Sequence, residues 1–436
     1  MRLSELPGAP HLTYCTNIHA GETWDDIRLS LDAHVPRIKA AVSPGAPLGL
    51  GLRLSGIAAA ELVEPSALDN FREQLKSLGA YVFTINAFPY GAFHGTRVKE
   101  QVYQPDWRAP ERLRFTAQAG RILSTLLPEG GYGSISTVPG GFRPDLGDPE
   151  AVAAVADHLI EAAADLVALE RATGRTVALA LEPEPCCFLE TSEEAIGFFQ
   201  DKLFASPASA RFGALTGLRP AAAEEALRRH LGICYDVCHG AVEYEDPIAS
   251  LTAFRAAGIV VPKIQLSASI RVPVMTAELL PRLKRFDTGT YLHQVVVRSE
   301  GLARFLDLPQ ALEAFEAGEA RGEWRIHCHV PVFLQDLGDL GSTRDVLVST
   351  LERIRREAFS PHLEVETYTW DVLPAHLKTG SKADDIAREL KFILGELTDD
   401  RCRDVAQPGC PVPARAGFEP SDRVDQRGRR DGSRGR

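Results

Sequence analysis

"LGICYDVCH" (231–239) is a short apolar run that closes on an acid, with a histidine three residues beyond it. Side chains alternate along a strand, so its two faces can be read separately. Leu231, Ile233 and Tyr235 form one face, suited to a covering layer of helices. Gly232, Cys234 and Asp236 form the other: small residues and then a carboxylate. That face suits the inside of a closed ring of strands, with the acid at the ring's mouth. "TVALALEPE" (176–184) repeats the pattern, with Val177, Leu179 and Leu181 outward and Ala178, Ala180 and Glu182 inward.

Six more runs fit the same role: "HLTYCTNIH" (11–19), "LGLGLRLS" (48–55), "AYVFTINAF" (80–88), "YGSISTVPG" (132–140), "VPKIQLSAS" (261–269) and "HLEVETYTW" (362–370). Between them lie helical patterns such as "WDDIRLSLDAHVPRIKAAV" (24–42) and "PEAVAAVADHLIEAAADLVALERATG" (149–174), the latter closing on a glycine suited to a C-cap. Eight strands each followed by a helix predict an α/β fold, a (β/α)8 TIM barrel. The rival, a doubly wound open sheet, usually carries a glycine-rich phosphate turn after its first strand. The residues there are "NIHAGETW" (17–24), which is no such turn.

The reading assigns 1–400 to the barrel. It places an insertion at 270–340, between the seventh and eighth strands, carrying the extra runs "TYLHQVVVR" (290–298) and "WRIHCHVPVF" (324–333). The alternative, that the second run is itself a barrel strand, stays open. The long aromatic loop at 86–110 lies where a lid would. Residues 401–436 are polar and arginine-rich and are expected to be disordered.

The bulk composition narrows the function. Of 436 residues 25% are charged, and the net charge is −11. The isoelectric point is about 5.6. Such a field repels nucleic acid and anionic membrane surfaces. No stretch approaches the length of a membrane span, and no secretory leader is recognisable. The eight cysteines lack CxxC spacing, so free thiols in a cytoplasmic setting are expected.

Active sites of such barrels form at the C-terminal ends of the strands. The inward residues there are therefore the candidates. Glu182 and Asp236 come from the fifth and sixth strands. The seventh offers Lys263, Gln265 and Ser267, with Ile264 and Leu266 outward, and the second offers Arg53. In the eighth, Glu364 and Glu366 share a face, and Glu366 lies nearer the mouth. The first and third offer Asn17 or His19, and Asn86. A lone acid at a strand end caps the next helix about as often as it does chemistry. Three acids together are different, because they repel unless a cation sits between them. Carboxylates and imidazoles suit Mn²⁺, Mg²⁺, Co²⁺ or Zn²⁺. The expected substrate contacts are Arg53, Asn86, His19, Lys263 and, from the long loop, His94.

"LALEPE" (179–184), "YDVCH" (235–239) and "EVETYT" (364–369) resemble the Glu, Asp-x-x-His and Glu strand ends of the xylose isomerase-like barrels. Those include sugar isomerases and epimerases, inosose dehydratases and the endonuclease IV group, and the likeness runs over 10–400. More narrowly, "TYCTNIHAGETW" (13–24), "NAFPYGAFHG" (86–95), "STVPGGF" (136–142), "CHVPVF" (328–333) and "ETYTW" (366–370) resemble the EboE barrels of bacterial ebo clusters. Those clusters are associated with moving a small metabolite out of the cytoplasm.

The resemblance implies Glu182, Asp236 and Glu366 as metal ligands, and His239 as a contact to substrate or to a second metal. The isomerases place a histidine ligand where this chain has Gln265, and an amide oxygen is a weaker ligand. His327 and His329 could replace it, as a late histidine does in endonuclease IV-like proteins, or could simply brace the insertion. In an isomerase or epimerase, Glu182 and Glu366 would move a proton beside a metal-polarised carbonyl. Arg53 and "PEGGYGSISTVPGGF" (128–142) could hold an anion. Lys263 could form a Schiff base or pair with a buried acid. Cys234, Cys238 and Cys328 could bind zinc or be plain core. Three functions follow: an EboE-like protein handling a small, sugar-like metabolite beside other ebo-cluster proteins; an isomerase or epimerase; or an endonuclease IV-like enzyme, against which the charge counts. Related barrels often form homodimers.

Overall fold

The computed structural model describes residues 1–371, 373–378 and 380–398. The expected tail at 401–436 lies outside them. Eight parallel strands form one sheet: β1 (His11–Tyr14), β2 (Leu48–Arg53), β3 (Ala80–Asn86), β4 (Tyr132–Thr137), β5 (Thr176–Leu181), β6 (Leu231–Asp236), β7 (Val260–Leu266) and, last in the chain, β13 (His362–Val365). Their order is β1-β13-β7-β6-β5-β4-β3-β2, and a parallel bridge from Cys15 to Gly51 joins the two ends. The sheet is therefore a closed barrel.

Local chemistry sets the outer layer. Helix Trp24–Val42 opens on a reciprocal cap in which Thr23 and Asp26 satisfy each other's backbone N–H groups. Its Ile27, Leu31, Val35 and Ile38 recur at helical spacing and are buried. Helix Pro149–Thr173 ends at Gly174, whose φ of 68° places it in the left-handed region. The outward leucines of β2 and β5 pack with these helices in one continuous core.

The inside of the ring is polar. Lys263 Nζ on β7 lies 2.6 Å from Glu364 Oε1 on β13, both side chains wholly buried. Room for Glu364 comes from Gly51: a Cβ there would stand 1.6 Å from Glu364 Oε2 and 3.0 Å from the Tyr14 carbonyl. Because Glu364 is tied to Lys263, it cannot simply swing aside. Gly51→Ala is therefore expected to cost about 1–3 kcal/mol, the usual penalty for overfilling a packed interior. The midpoint of chemical unfolding would read this, and an unchanged midpoint would show that the ring relaxes.

Between β7 and β13 the chain builds a second, antiparallel sheet. It comprises β8 (Ile270–Val272), β9 (Val295–Arg298), β10 (Leu302–Phe305), β11 (Glu323–Ile326) and β12 (Gly341–Ser342), in the order β10-β9-β11-β8-β12. Helix Leu308–Glu316 packs on it through Leu312 and Phe315, with Trp324 in the same core. "WRIHCHVPVF" thus begins in this sheet and not in the ring. The strand stops at Ile326. His327 N then donates to Gln294 O (2.8 Å) and Val330 N to Ala268 O (2.9 Å). This path carries His327 and His329 back to the barrel.

The loop after β3 is pinned to the same segment. Val98 N and Lys99 N both donate to Thr290 O, and Tyr291 Oη donates to Phe93 O. No helix among the described residues is long and apolar enough to cross a membrane.

Candidate metal centre

Asp236 ends β6 and caps the short helix that follows. Its Oδ1 accepts from Cys238 N (2.7 Å), His239 N (3.1 Å) and Ser267 Oγ (2.6 Å). The other oxygen, Oδ2, has no hydrogen-bond partner although it is buried. It lies 3.8 Å from His239 Nε2 and 3.9 Å from His329 Nε2. One oxygen does the capping, and the second is left for something else.

Glu182 follows β5, its N–H extending the ladder to Thr137 O at 3.0 Å. Its Oε2 is likewise buried without a partner. Glu366 follows β13, and its Oε1 accepts from Asn17 Nδ2 (2.8 Å) and Asn86 Nδ2 (3.0 Å). Carboxylate oxygens of Glu182, Asp236 and Glu366 all lie within 4.8 Å of one another. Donors sharing one ion at ~2.0–2.6 Å must stand about that close or closer. Burial, and then the neighbouring carboxylates, push Glu182 and Glu366 well above the ordinary range. Asp236 is the opposite case. Burial alone would raise it, but His239, His329 and the hydrogen bonds to its Oδ1 outweigh that and hold it below its usual value.

The histidines are fixed as single tautomers by what they touch. Nδ1 of His239 faces Pro183 O (2.9 Å), Nδ1 of His327 faces Gln294 Oε1 (2.7 Å), and Nδ1 of His329 faces Glu366 O (2.9 Å). Each partner is an acceptor, so each Nδ1 donates and the Nε2 of each ring is left for other partners. The Gln294 amide is oriented by its own donation to Pro185 O (3.1 Å) and Glu184 Oε1 (3.2 Å). His239 Nε2 and His327 Nε2 are 3.1 Å apart, and His329 Nε2 has no partner. Burial first, then neighbouring histidines, lower His327 well below its usual value. Burial also lowers His329 to about 4. His239 Nε2 and His327 Nε2 are close enough that a cation or a shared proton between them would reconcile the two nitrogens. Asp236, His239 and His329 form a second group with ligand atoms within 4.8 Å, and Cys238, His327 and His329 a third.

Gln265 sits on β7 beside Asp236 and Glu364 in register. It is fully buried, and neither amide atom has a partner. The donor set (carboxylates, imidazoles, an amide and several orphaned buried atoms) fits a divalent cation.

The remaining sequence candidates separate. Asn86 reaches the centre through Glu366, and of the pair Asn17 or His19 it is Asn17 that does so. His19 Nε2 instead meets Tyr14 Oη at 3.2 Å, and its ring stacks on His34 at 4.3 Å. Arg53 ties loops together, donating to Gly21 O (2.8 Å) and Gly91 O (2.8 Å) and pairing with Glu22 at 3.1 Å. His94 packs edge-on against Phe93 at 5.2 Å. Neither Arg53, His19 nor His94 lines the central cleft. Lys263 lies deeper, with Glu364, and meets Ser136 Oγ at 3.3 Å. Gly140 and Gly141 of the glycine-rich loop pack against Phe188 and Asp106. Cys234, Cys238 and Cys328 are all buried.

Glu184 and Gln294 were not among the sequence candidates. Glu184 Oε1 accepts from Tyr103 Oη (2.9 Å), and burial raises its carboxyl to about 8. "EPE" holds the signal for Glu184, two residues from Glu182. Gln294 has none, because its role depends on how the second sheet folds back. A cleft at the centre has Glu182, Glu366, His239 and His327 in its lining.

No protein-family model and no curated protein sequence matches the chain. Among solved structures it is similar to D-allulose 3-epimerase from Methylomonas sp. in complex with D-allulose, at 10% identity over 90% of this chain and 98% of that one, TM-score 0.46. It is also similar to a xylose isomerase domain protein from Planctomyces limnophilus (14% identity, 89% and 96%, TM-score 0.43). A third is the IOLI protein with a bound zinc atom (13% identity, 89% and 98%, TM-score 0.43).

Proposed function

We propose that this chain is a divalent-metal-dependent barrel enzyme of the isomerase or epimerase type, acting on a small oxygenated metabolite. The observation that carries the reading is the unpartnered, buried oxygen on each of Glu182 and Asp236, held close to Glu366. A bound cation would polarise a substrate oxygen and stabilise negative charge developing on it. Glu182, Asp236 and Glu366 would hold it, with Gln265 as the weaker fourth donor. His239, His327 and His329 would orient substrate or hold a second ion. The two asparagine amides fix how Glu366 faces the cleft, and Glu182 and Glu366 both line it, so either can take or return a proton there.

The EboE-like motifs favour a related reading, in which the same centre holds a metabolite for traffic beside other ebo-cluster proteins. Glu366→Gln distinguishes the two. A proton-transfer enzyme is expected to lose turnover by roughly 10²–10⁴-fold. A binder would keep its ligand affinity, with metal content measured on both proteins to exclude simple loss of the ion. The endonuclease-like reading is disfavoured by the net charge of −11. It also needs free cations for phosphates, and the only lysine or arginine among the described lining residues, Lys99, is paired with acids.

A further inference from the structure

The cleft has a polar floor and an apolar roof. Asn17, Asn86, Glu182 and Glu366 bring the barrel's polar strand ends to the floor, and Lys99, Tyr103 and His327 add polar groups from the loop after β3 and the inserted segment. The roof joins Phe93 of the loop after β3, Tyr291 of the segment before β9 and Tyr368 just after β13. Their ring centroids stand 5.2 Å (Phe93–Tyr291), 5.3 Å (Phe93–Tyr368) and 5.2 Å (Tyr291–Tyr368) apart. This is a closed triangle at ordinary aromatic packing distance. Tyr291 Oη is spent on Phe93 O at 2.8 Å, so that ring offers carbon to the cleft. Phe88 and Leu292 extend the apolar wall.

The charge of the cleft is equally specific. Lys99 is buried, ion-paired with Asp307, and 3.9 Å from Asp287. Three carboxylates, Glu182, Glu184 and Glu366, also line the space. Away from the metal, an anionic group would meet no free lysine or arginine among the described lining residues, and burying it there unpaired is costly. A bare sugar fits less well, since hydroxyls turned toward the Phe93 and Tyr291 rings would lose water and gain no partner from those two rings, the Tyr291 hydroxyl being committed to Phe93 O.

We propose that the substrate is an uncharged molecule with two neighbouring oxygen functions at one end and an apolar, ring-sized body at the other. It is neither a sugar phosphate nor a bare sugar. The oxygen pair would meet the metal and glutamates, and the body would lie under Phe93, Tyr291 and Tyr368. The assignment rests on the metal-centre reading above.

Calorimetric titration of the Mn²⁺-loaded protein with four probes tests it: 1-phenyl-1,2-ethanediol, glycerol, D-fructose and D-fructose 6-phosphate. Phenylethanediol is expected to bind at least tenfold more tightly than glycerol or D-fructose, with D-fructose 6-phosphate not binding. Equal or tighter binding of either sugar overturns the proposal. Phe93→Ser should erase most of the preference, and Phe93→Leu should keep it. The wild-type rank order decides the matter even if the serine variant fails to fold. Metal content of the same samples separates the two claims. A protein without metal that still prefers phenylethanediol removes only the metal-centre reading. A metal-loaded protein that prefers fructose removes only the substrate class.

Discussion

Lys263→Met is expected to destabilise the folded chain by about 3–5 kcal/mol, the cost of stranding a buried charge without its partner. Lys263 Nζ and Glu364 Oε1 are 2.6 Å apart, and neither side chain is exposed to solvent. Burial alone would lower the lysine, but Glu364 outweighs it and holds the amine above its ordinary range. A permanently charged amine is a poor nucleophile, so the same pair argues against a Schiff base at Lys263. The methionine variant leaves Glu364 in a dry ring, hemmed in by Gly51 and the Tyr14 carbonyl. The double variant Lys263→Met/Glu364→Leu should recover most of the loss, because two apolar groups need no solvation. Denaturant midpoints of wild type, single and double variants check this. A single variant as stable as wild type would mean that the pair contributes nothing to the ring.

Asp236→Asn should have the largest effect on metal affinity, a loss on the order of 100-fold or more. Groups that merely hold a ligand in place are worth 10–100-fold, and Asp236 would be the ligand itself. Asparagine caps helices about as well as aspartate. The hydrogen bonds now made by Oδ1 to Cys238, His239 and Ser267 can therefore persist, and stability should change by less than about 1 kcal/mol. The variant thus separates capping from coordination in one residue. Titration with Mn²⁺ followed by metal analysis reads it, and undiminished metal binding would leave Asp236 a cap and nothing more.

Strand alternation made much of the centre legible from sequence, because an apolar run that ends in an acid states both the face and the position of that acid. Glu182, Asp236 and Glu366 could be read this way, as could the inward turn of Lys263 and Gln265. Alternation says nothing about reach. Arg53 leaves β2 at the expected place, yet its long side chain ends among the backbone carbonyls of Gly21 and Gly91. Nor does it give partners on neighbouring strands. The pairing of Lys263 with Glu364 follows from the β7–β13 register, in which Gln265 stands beside Glu364. His327 and His329 were visible as a pair without a location. Their place depends on β11 ending at Ile326 and the chain folding back along Gln294 and Ala268, a long-range event that no local pattern encodes. The same fold-back brings in Gln294, which fixes the His327 tautomer and had no signal at all.

The central claim is that carboxylates from β5, β6 and β13 close around one cation at the barrel's mouth. An anomalous-difference map from crystals of the Mn²⁺-loaded protein tests it directly. The account predicts one strong peak bonded to oxygens of Glu182, Asp236 and Glu366 at roughly 2.0–2.6 Å, ordinary divalent coordination distances. A map with no peak there, and with those acids sharing protons among themselves, would contradict it.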